Sequence, residues 1–189
     1  MKAGKLLSLI LFCTAIATTQ TLGITPTFSQ ANSSDRVSFF CKDTFDRASN
    51  TNLPTTLAWI PEKRGHTSII LWKSEYFLGW NPRQRCETVS PKFQSFYNQG
   101  SLKYLTNGKV KGYPVICAVA KEGDQCEKEN QLFQPKDERS SELVIYRLVN
   151  ALEGGSGTEA LYQSSGKQMY VPIDEFLRKA STLEQEKRI

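Results

Sequence analysis

The sequence predicts a small α+β domain, mainly an antiparallel sheet of short hairpins packed with about three helices. Three observations predict it. Short runs of β-branched and aromatic residues are separated by turn signals. Amphipathic stretches with apolar residues at three- and four-residue steps lie among those runs. Once a targeting segment is set aside, the length suits one domain. Hairpins interspersed with helices are not the regular alternation of a doubly wound parallel sheet.

The elements follow in order. Residues 37–41 (VSFFC) are rich in strand formers and read as an opening strand. Residues 55–60 and 67–72 are two further strands, and the polar stretch 61–66 between them makes the unit a hairpin. Asn81-Pro82 signals a helix start, with Asn as N-cap and Pro in the first turn. Cys86, Val89, Phe93 and Phe96 then recur on one face, and Gly100 ends the helix. Pro91 falls in its middle, removes one hydrogen bond, and is expected to kink or divide the helix near Ser90 on the polar side. Residues 102–106 form a strand, Asn107-Gly108 a hairpin turn and residues 110–120 the partner strand. Pro114 marks an edge or bulge near the partner's beginning.

Leu132-Phe133 is a brief strand. Ser140 or Ser141 caps a second helix with Leu143, Tyr146, Val149 and Leu152 as its apolar stripe, and Gly154-Gly155-Ser156-Gly157 stops it. Leu161-Tyr162 and Met169-Tyr170-Val171 bracket Ser164-Ser165-Gly166 as another hairpin. An amphipathic helix over residues 173–184 closes the chain, with Phe176, Leu177 and Leu183 able to dock. The resulting division is a signal peptide over 1–31, a short disordered N-terminus over 32–36, the α+β domain over 37–162, and a C-terminal hairpin strand and amphipathic helix over 163–189.

The chain has 189 residues, with 24 Lys+Arg against 19 Asp+Glu, one His and five Cys. At 39% hydrophobic and 23% charged residues it is too apolar and too mixed in charge to be disordered. A single histidine, His66, excludes a His-rich metal site and any mechanism that needs two imidazoles.

The first residues read as a signal for export. Lys2 and Lys5 precede an apolar run over 6–17, and Ser29 and Ala31 are the small residues that signal peptidase requires, with cleavage after Ala31. The run is shorter than the roughly 20 residues a spanning helix needs. A retained membrane anchor is the alternative, since the apolar region extends to Ile24 if Thr18–Gln20 is tolerated. Cleavage removes two lysines and Cys13, lowering the net charge from +5 to +3 and leaving four cysteines. The mature chain is therefore expected in the periplasm or outside the cell.

Cys41, Cys86, Cys117 and Cys126 are not spaced as CxxC, so zinc-ribbon and thioredoxin-type readings have little support. Four cysteines in an exported chain imply two disulfides. Three pairings are open; proximity favours Cys117–Cys126, which leaves Cys41–Cys86. By chain entropy these contribute about 2.5 and about 4 kcal/mol.

Candidate chemistries are few. Gly154, Gly155 and Gly157 follow a helix instead of a strand and lack a Lys-Ser/Thr pair, so no phosphate loop is present. His66 falls in a predicted exposed turn, and no GxSxG elbow accompanies it. Glu122, Asp124, Glu127 and Glu129 crowd one loop, but their spacing is not that of an EF-hand. No cofactor, metal site or catalytic residue is predicted, and the domain reads as non-enzymatic. The charge distribution is more informative. Residues 83–111 carry Arg83, Arg85, Lys92, Lys103, Lys109 and Lys111 against Glu87 alone, a segment suited to anionic lipid or polysaccharide. Nucleic acid is not expected in an exported compartment. Trp59, Trp72, Trp80, Tyr76 and Phe77 make the first hairpin and its surroundings aromatic-rich, as core or as a binding surface.

Several stretches form a distinctive order: Pro54-Thr55-Thr56, Ile69-Ile70-Leu71-Trp72-Lys73-Ser74, and Gly79-Trp80-Asn81-Pro82-Arg83-Gln84-Arg85-Cys86. They continue through Val89-Ser90, Phe93-Gln94, Tyr97, Gly100, Tyr104-Leu105-Thr106-Asn107-Gly108 and Val115-Ile116-Cys117. This resembles the cyanobacterial circadian oscillating protein family over residues 37–157. The resemblance implies an exported cyanobacterial protein, periplasmic or peripherally attached to a membrane, whose abundance follows a daily rhythm. It carries over no catalytic residue. Pro91 departs from the basic or polar residue usual there, and the tail from about Gln163 lies beyond the resemblance. Beside it, the residues suggest that Arg85 holds the helix start against the sheet while Trp72 and Trp80 pack beneath. The expected function is binding of an envelope or membrane surface, or of an envelope protein. An envelope-acting enzyme or enzyme inhibitor of unfamiliar type is the alternative.

Overall fold

The strand formers at the start of the domain build a three-stranded antiparallel sheet in the order β1-β2-β3, from β1 (Ser38–Asp46), β2 (Thr51–Ile60) and β3 (Gly65–Leu71). Residues 36–73, 79–152 and 168–186 are described in a computed structural model of the chain. β1 runs past Cys41 because every residue to Asp46 finds a partner on β2. The 61–66 stretch holds a 3-10 turn, Pro61–Lys63, closed by Arg64 in the left-handed region. His66 does not lie in an exposed turn. It sits inside β3, paired with Trp59 of β2, and is half-buried.

Helix α1 (Pro82–Asn98) starts as its sequence predicts. The Asn81 side chain accepts the Gln84 N–H while the Gln84 side chain accepts the Asn81 N–H, a reciprocal capping box. Pro91 does not divide it. The proline is exposed, so its ring faces solvent and the helix continues through it. Cys86, Val89, Ser90 and Phe93 face inward onto β1 and β2.

The second sheet has the order β6-β5-β4-β7, built from β4 (Tyr104–Val110), β5 (Tyr113–Val119), β6 (Gln131–Phe133) and β7 (Tyr170–Pro172). Its hairpin does not turn at Asn107-Gly108. Those residues lie within β4, opposite Ile116 and Val115, and the turn is Lys111-Gly112, with φ of 51° and 82°. Both turn residues have the positive φ that a tight two-residue hairpin demands. Tertiary contacts explain the shift. A Cβ on Gly108 would lie 2.7 Å from the Cβ and Sγ of Cys126, and Asn107 Oδ1 accepts the Met169 N–H at 3.1 Å. The glycine makes room for a disulfide. Pro114 faces β4 alone, since β6 pairs β5 only from Ile116 onward.

Helix α2 (Glu138–Leu152) begins ahead of the serines. Asp137 accepts the Ser140 N–H at 2.7 Å and acts as the cap. Its buried stripe is Ser141, Ile145 and Leu148, whereas Leu143 is exposed. The sequence supports both stripes, and the denser Val144-Ile145-Leu148-Val149 face wins the core. The closing helix is interrupted: α3 (Ile173–Lys179) ends at Ala180, whose ψ of 140° is non-helical, and α4 (Leu183–Glu186) restarts after a Thr182–Gln185 exchange of hydrogen bonds. Ile173, Phe176 and Leu177 are buried. β7 pairs with β4, so the segment from Met169 onward is part of the domain core and not an appendage.

One cluster of buried side chains joins both sheets and three helices, with Trp72 and Phe93 among its largest members. Val115, Cys117 and Val119 form a smaller cluster on the other face of β5. The signal segment and Ala31, the N-terminus up to residue 35, Tyr76 and Phe77, the 154–157 glycines and the 161–166 half of the predicted hairpin lie outside the described residues. No described helix is long and apolar enough to cross a membrane.

Candidate functional site

Four cysteines form Cys41–Cys86 and Cys117–Cys126, with Cα separations of 5.5 and 5.6 Å. The first joins β1 to α1, and the second anchors the 120s loop to β5. These bonds make it a disulfide-stabilised domain and suit a protein outside the reducing cytoplasm.

The six basic residues of 83–111 fall into different settings. Arg83 turns toward β1, where it pairs with both oxygens of Asp43 and approaches Glu87 at 3.9 Å. Lys103 reaches Asp174 of α3 at 3.5 Å. Lys109 lies on β4 and Lys111 in the turn beyond it, both exposed. Arg85 and Lys92 are the pair that the structure brings together. Seven residues apart on α1, they share the helix face toward β6 and line a cavity of about 260 Å³ with Trp80, Gln131, Phe133 and Gln134.

The floor of that cleft is built by local packing. Trp72 is 2% exposed, and its Nε1–H donates to Thr56 Oγ1 at 3.0 Å, which in turn lies 2.9 Å from Ser90 Oγ. Phe133 meets the Trp72 ring edge-on at 5.3 Å. The Arg85 guanidinium stacks over this held indole, 4.6 Å from its centroid, a cation–π contact that fixes its direction. Burial lowers the Arg85 pKa from its ordinary value, yet a guanidinium remains charged. Lys92 Nζ donates to the Leu132 carbonyl at 3.1 Å, which aims the ammonium at the β6 rim. Trp80 is not packed beneath the helix. It is 50% exposed and forms one wall of the cleft. Among the described residues no carboxylate lines the cavity.

A second cavity, about 570 Å³, lies across α1 against β1. Among the described residues its one ionisable lining group is Glu87, no cation lines it, and Gln94, Ser95 and Asn98 supply neutral polar atoms.

His66 is the other polar centre. Its Nδ1 lies 2.6 Å from Glu184 Oε1, and its backbone N–H donates to Glu184 Oε2 at 2.8 Å. An ionised carboxylate only accepts, so Nδ1 carries the proton. Phe40 and Trp59 pack against the imidazole at 5.7 and 5.0 Å. Desolvation raises the Glu184 pKa, but the hydrogen bonds from His66 outweigh it and hold the carboxyl below its ordinary range. Neither cavity is lined by His66 or Glu184. The carboxylates of the 120s loop are exposed, and Asp124 closes its own turn by accepting the Lys121 N–H at 3.0 Å. Among the described residues no three His, Cys, Asp or Glu gather to hold a metal.

The Arg85/Lys92 spacing was legible on the helix. Gln131 and Gln134 carried no such signal, because the residues that join them to α1 lie some 40 positions away and meet only through tertiary packing. Glu184 likewise joins His66 across 118 residues.

A family model described as circadian oscillating protein COP23 matches residues 38–178, which brings β7 and α3 into the shared region beyond Gln163. No curated protein and no solved structure matches the chain.

Proposed function

The chain belongs to the circadian oscillating protein COP23 family, and on that premise we propose that it is an exported, non-catalytic binding domain that engages an anionic component of the cell envelope through the α1–β6 cleft. The observation that supports this is the pairing of Arg85 and Lys92 beside a half-exposed Trp80, in a cleft that no carboxylate lines among the described residues. Cations that face a common concavity attract an anion more strongly than the same charges scattered, because their potentials add over the opening. The basic residues followed by an apolar run over 2–17 and the two disulfides support export.

Fractionation tests the reading. The mature chain, beginning at Asn32 by mass spectrometry, should sediment with envelope material at low ionic strength and be released by high salt or carbonate. Purely soluble behaviour at low salt would refute it.

One observation favours a second reading, an envelope-acting enzyme: Glu184 orients the imidazole of His66. The same carboxylate also closes the β3 edge through the backbone N–H of His66, and a clasp accounts for both bonds. Hydrolysis of an envelope glycan that disappears in a folded His66→Gln variant would promote the enzyme reading.

A further inference from the structure

Resting on the anionic-surface reading above, we infer that the α1–β6 cleft is a saccharide subsite that takes one acidic sugar ring, stacked on Trp80 with its carboxylate or sulfate toward Arg85 and Lys92.

Four features of the cleft carry this. Its volume of about 260 Å³ falls just below the range of about 300–1,000 Å³ for drug-sized ligands, so it suits a single ring more than a flat membrane face. Trp80, half-exposed at the rim, offers an indole surface to the apolar C–H face of a pyranose. Gln131 and Gln134 each provide a carboxamide that donates and accepts, which matches vicinal hydroxyls and has no special use for a lipid headgroup. Among the described residues both ionisable lining groups are cations, and they are held from below, Arg85 by the Trp72 ring and Lys92 by the Leu132 carbonyl. Lys92 spends one of its three donors on that carbonyl and keeps two for a ligand oxygen.

The two cations that would meet the ring's anionic group are thus set before it arrives. The Trp72–Thr56–Ser90 hydrogen-bond chain and the Phe133 ring hold the floor, so little side-chain order remains to be imposed on binding. A bilayer surface would instead be met by a broad basic face, and Arg83 and Lys103 are turned away to their own carboxylates.

The test uses calorimetry on the mature, oxidised chain with a short oligogalacturonate, its fully methyl-esterified counterpart and vesicles containing phosphatidylglycerol, each at low and high salt. The acid oligomer should bind and quench tryptophan fluorescence, and the ester should bind about tenfold or more weakly because it loses the ionic contacts. Trp80→Ala should weaken the acid oligomer about tenfold and Trp80→Phe should recover part of the loss, at unchanged circular dichroism. Lys92→Gln should flatten the salt dependence. Equal binding of acid and ester, or an unaltered affinity in Trp80→Ala, overturns the subsite. Salt-sensitive binding to vesicles with none to the oligomer also overturns it while leaving the anionic-surface reading standing. Salt-independent or absent binding to vesicles, oligomer and envelope alike removes both.

Discussion

The two outer strands of the first sheet face the same hazard and meet it with different chemistry. An open strand edge presents unpaired N–H groups to any other strand. At β1 the outward N–H of Phe39 donates to Gln94 Oε1 at 2.7 Å; at β3 that of His66 donates to Glu184 Oε2 at 2.8 Å. Gln94 is neutral and belongs to α1, which Cys41–Cys86 bonds to β1 itself. Glu184 is a carboxylate on four-residue α4, held by non-covalent contacts: Lys63 Nζ to the Ala180 carbonyl, Thr67 Oγ1 to the Ser181 carbonyl, and the His66 ring. One cover is covalently pinned and does not titrate. The other is a clasp made of charges and hydrogen bonds. The difference teaches that the β3 edge can open while the β1 edge and the cleft beside α1 stay closed, since local stability follows local contacts.

The largest effect should come from removing the covalent pin. Cys41→Ala/Cys86→Ala is expected to lower unfolding free energy by about 4 kcal/mol in urea titration, because the bond closes a loop that holds β2, β3 and the first turn of α1. A loss under 1 kcal/mol would mean that α1 covers β1 without its help.

On the opposite edge, a Cβ at Gly65 would lie 2.8 Å from Thr182 Cβ and Cγ2. Gly65→Ala should therefore cost about 1–3 kcal/mol. Its mark is selective: amide exchange at His66 should accelerate while that at Phe39 stays slow. Parallel acceleration at both sites would dissolve the distinction between the edges.

Acid should separate the edges further. The Glu184 carboxyl lies below its usual 4.5 in the folded chain. A depressed folded pKa stabilises above the unfolded value, and that share is lost as pH falls from about 4.5 through the folded pKa. Exchange at His66, corrected for intrinsic rate, should thus rise in that window, and exchange at Phe39 should not. Glu184→Gln keeps an acceptor and should flatten the profile, at a cost of about 1 kcal/mol.

The smallest effect is a gain. Pro91→Ala restores an N–H to the Glu87 carbonyl on an exposed part of α1 and should add about 1 kcal/mol in thermal or urea unfolding. Destabilisation would show that the proline shapes α1 against β1.

Much of this was legible because it is local. The Asn81-Pro82 start, the face of Cys86, Val89 and Phe93, the strands around 55–60 and 67–72 and the brief strand at 132–133 depend on neighbours within a turn or a hairpin. Errors arose where two local patterns competed. Asn107-Gly108 and Lys111-Gly112 can each turn a hairpin, and distant contacts, Cys126 over Gly108 and the Met169 N–H on Asn107, select the second. The α2 sequence offers two apolar faces, and the sheet beneath it selects Ile145 and Leu148. Trp80 could pack or protrude, and nothing within a few residues distinguishes these.

The sequence by itself determined the α+β class, the two-disulfide complement of the domain, the capped start of α1 and the excess of positive charge near it, since each is a matter of composition or short-range periodicity. Tertiary structure decided where each of those charges is placed. Arg83 is neutralised by Asp43 and Lys103 approaches Asp174, whereas Arg85 and Lys92 converge on one cleft, and His66 becomes half of a clasp. Charge is a property of a residue, but a field depends on which other charges stand within a few ångströms, and only the folded chain sets those distances.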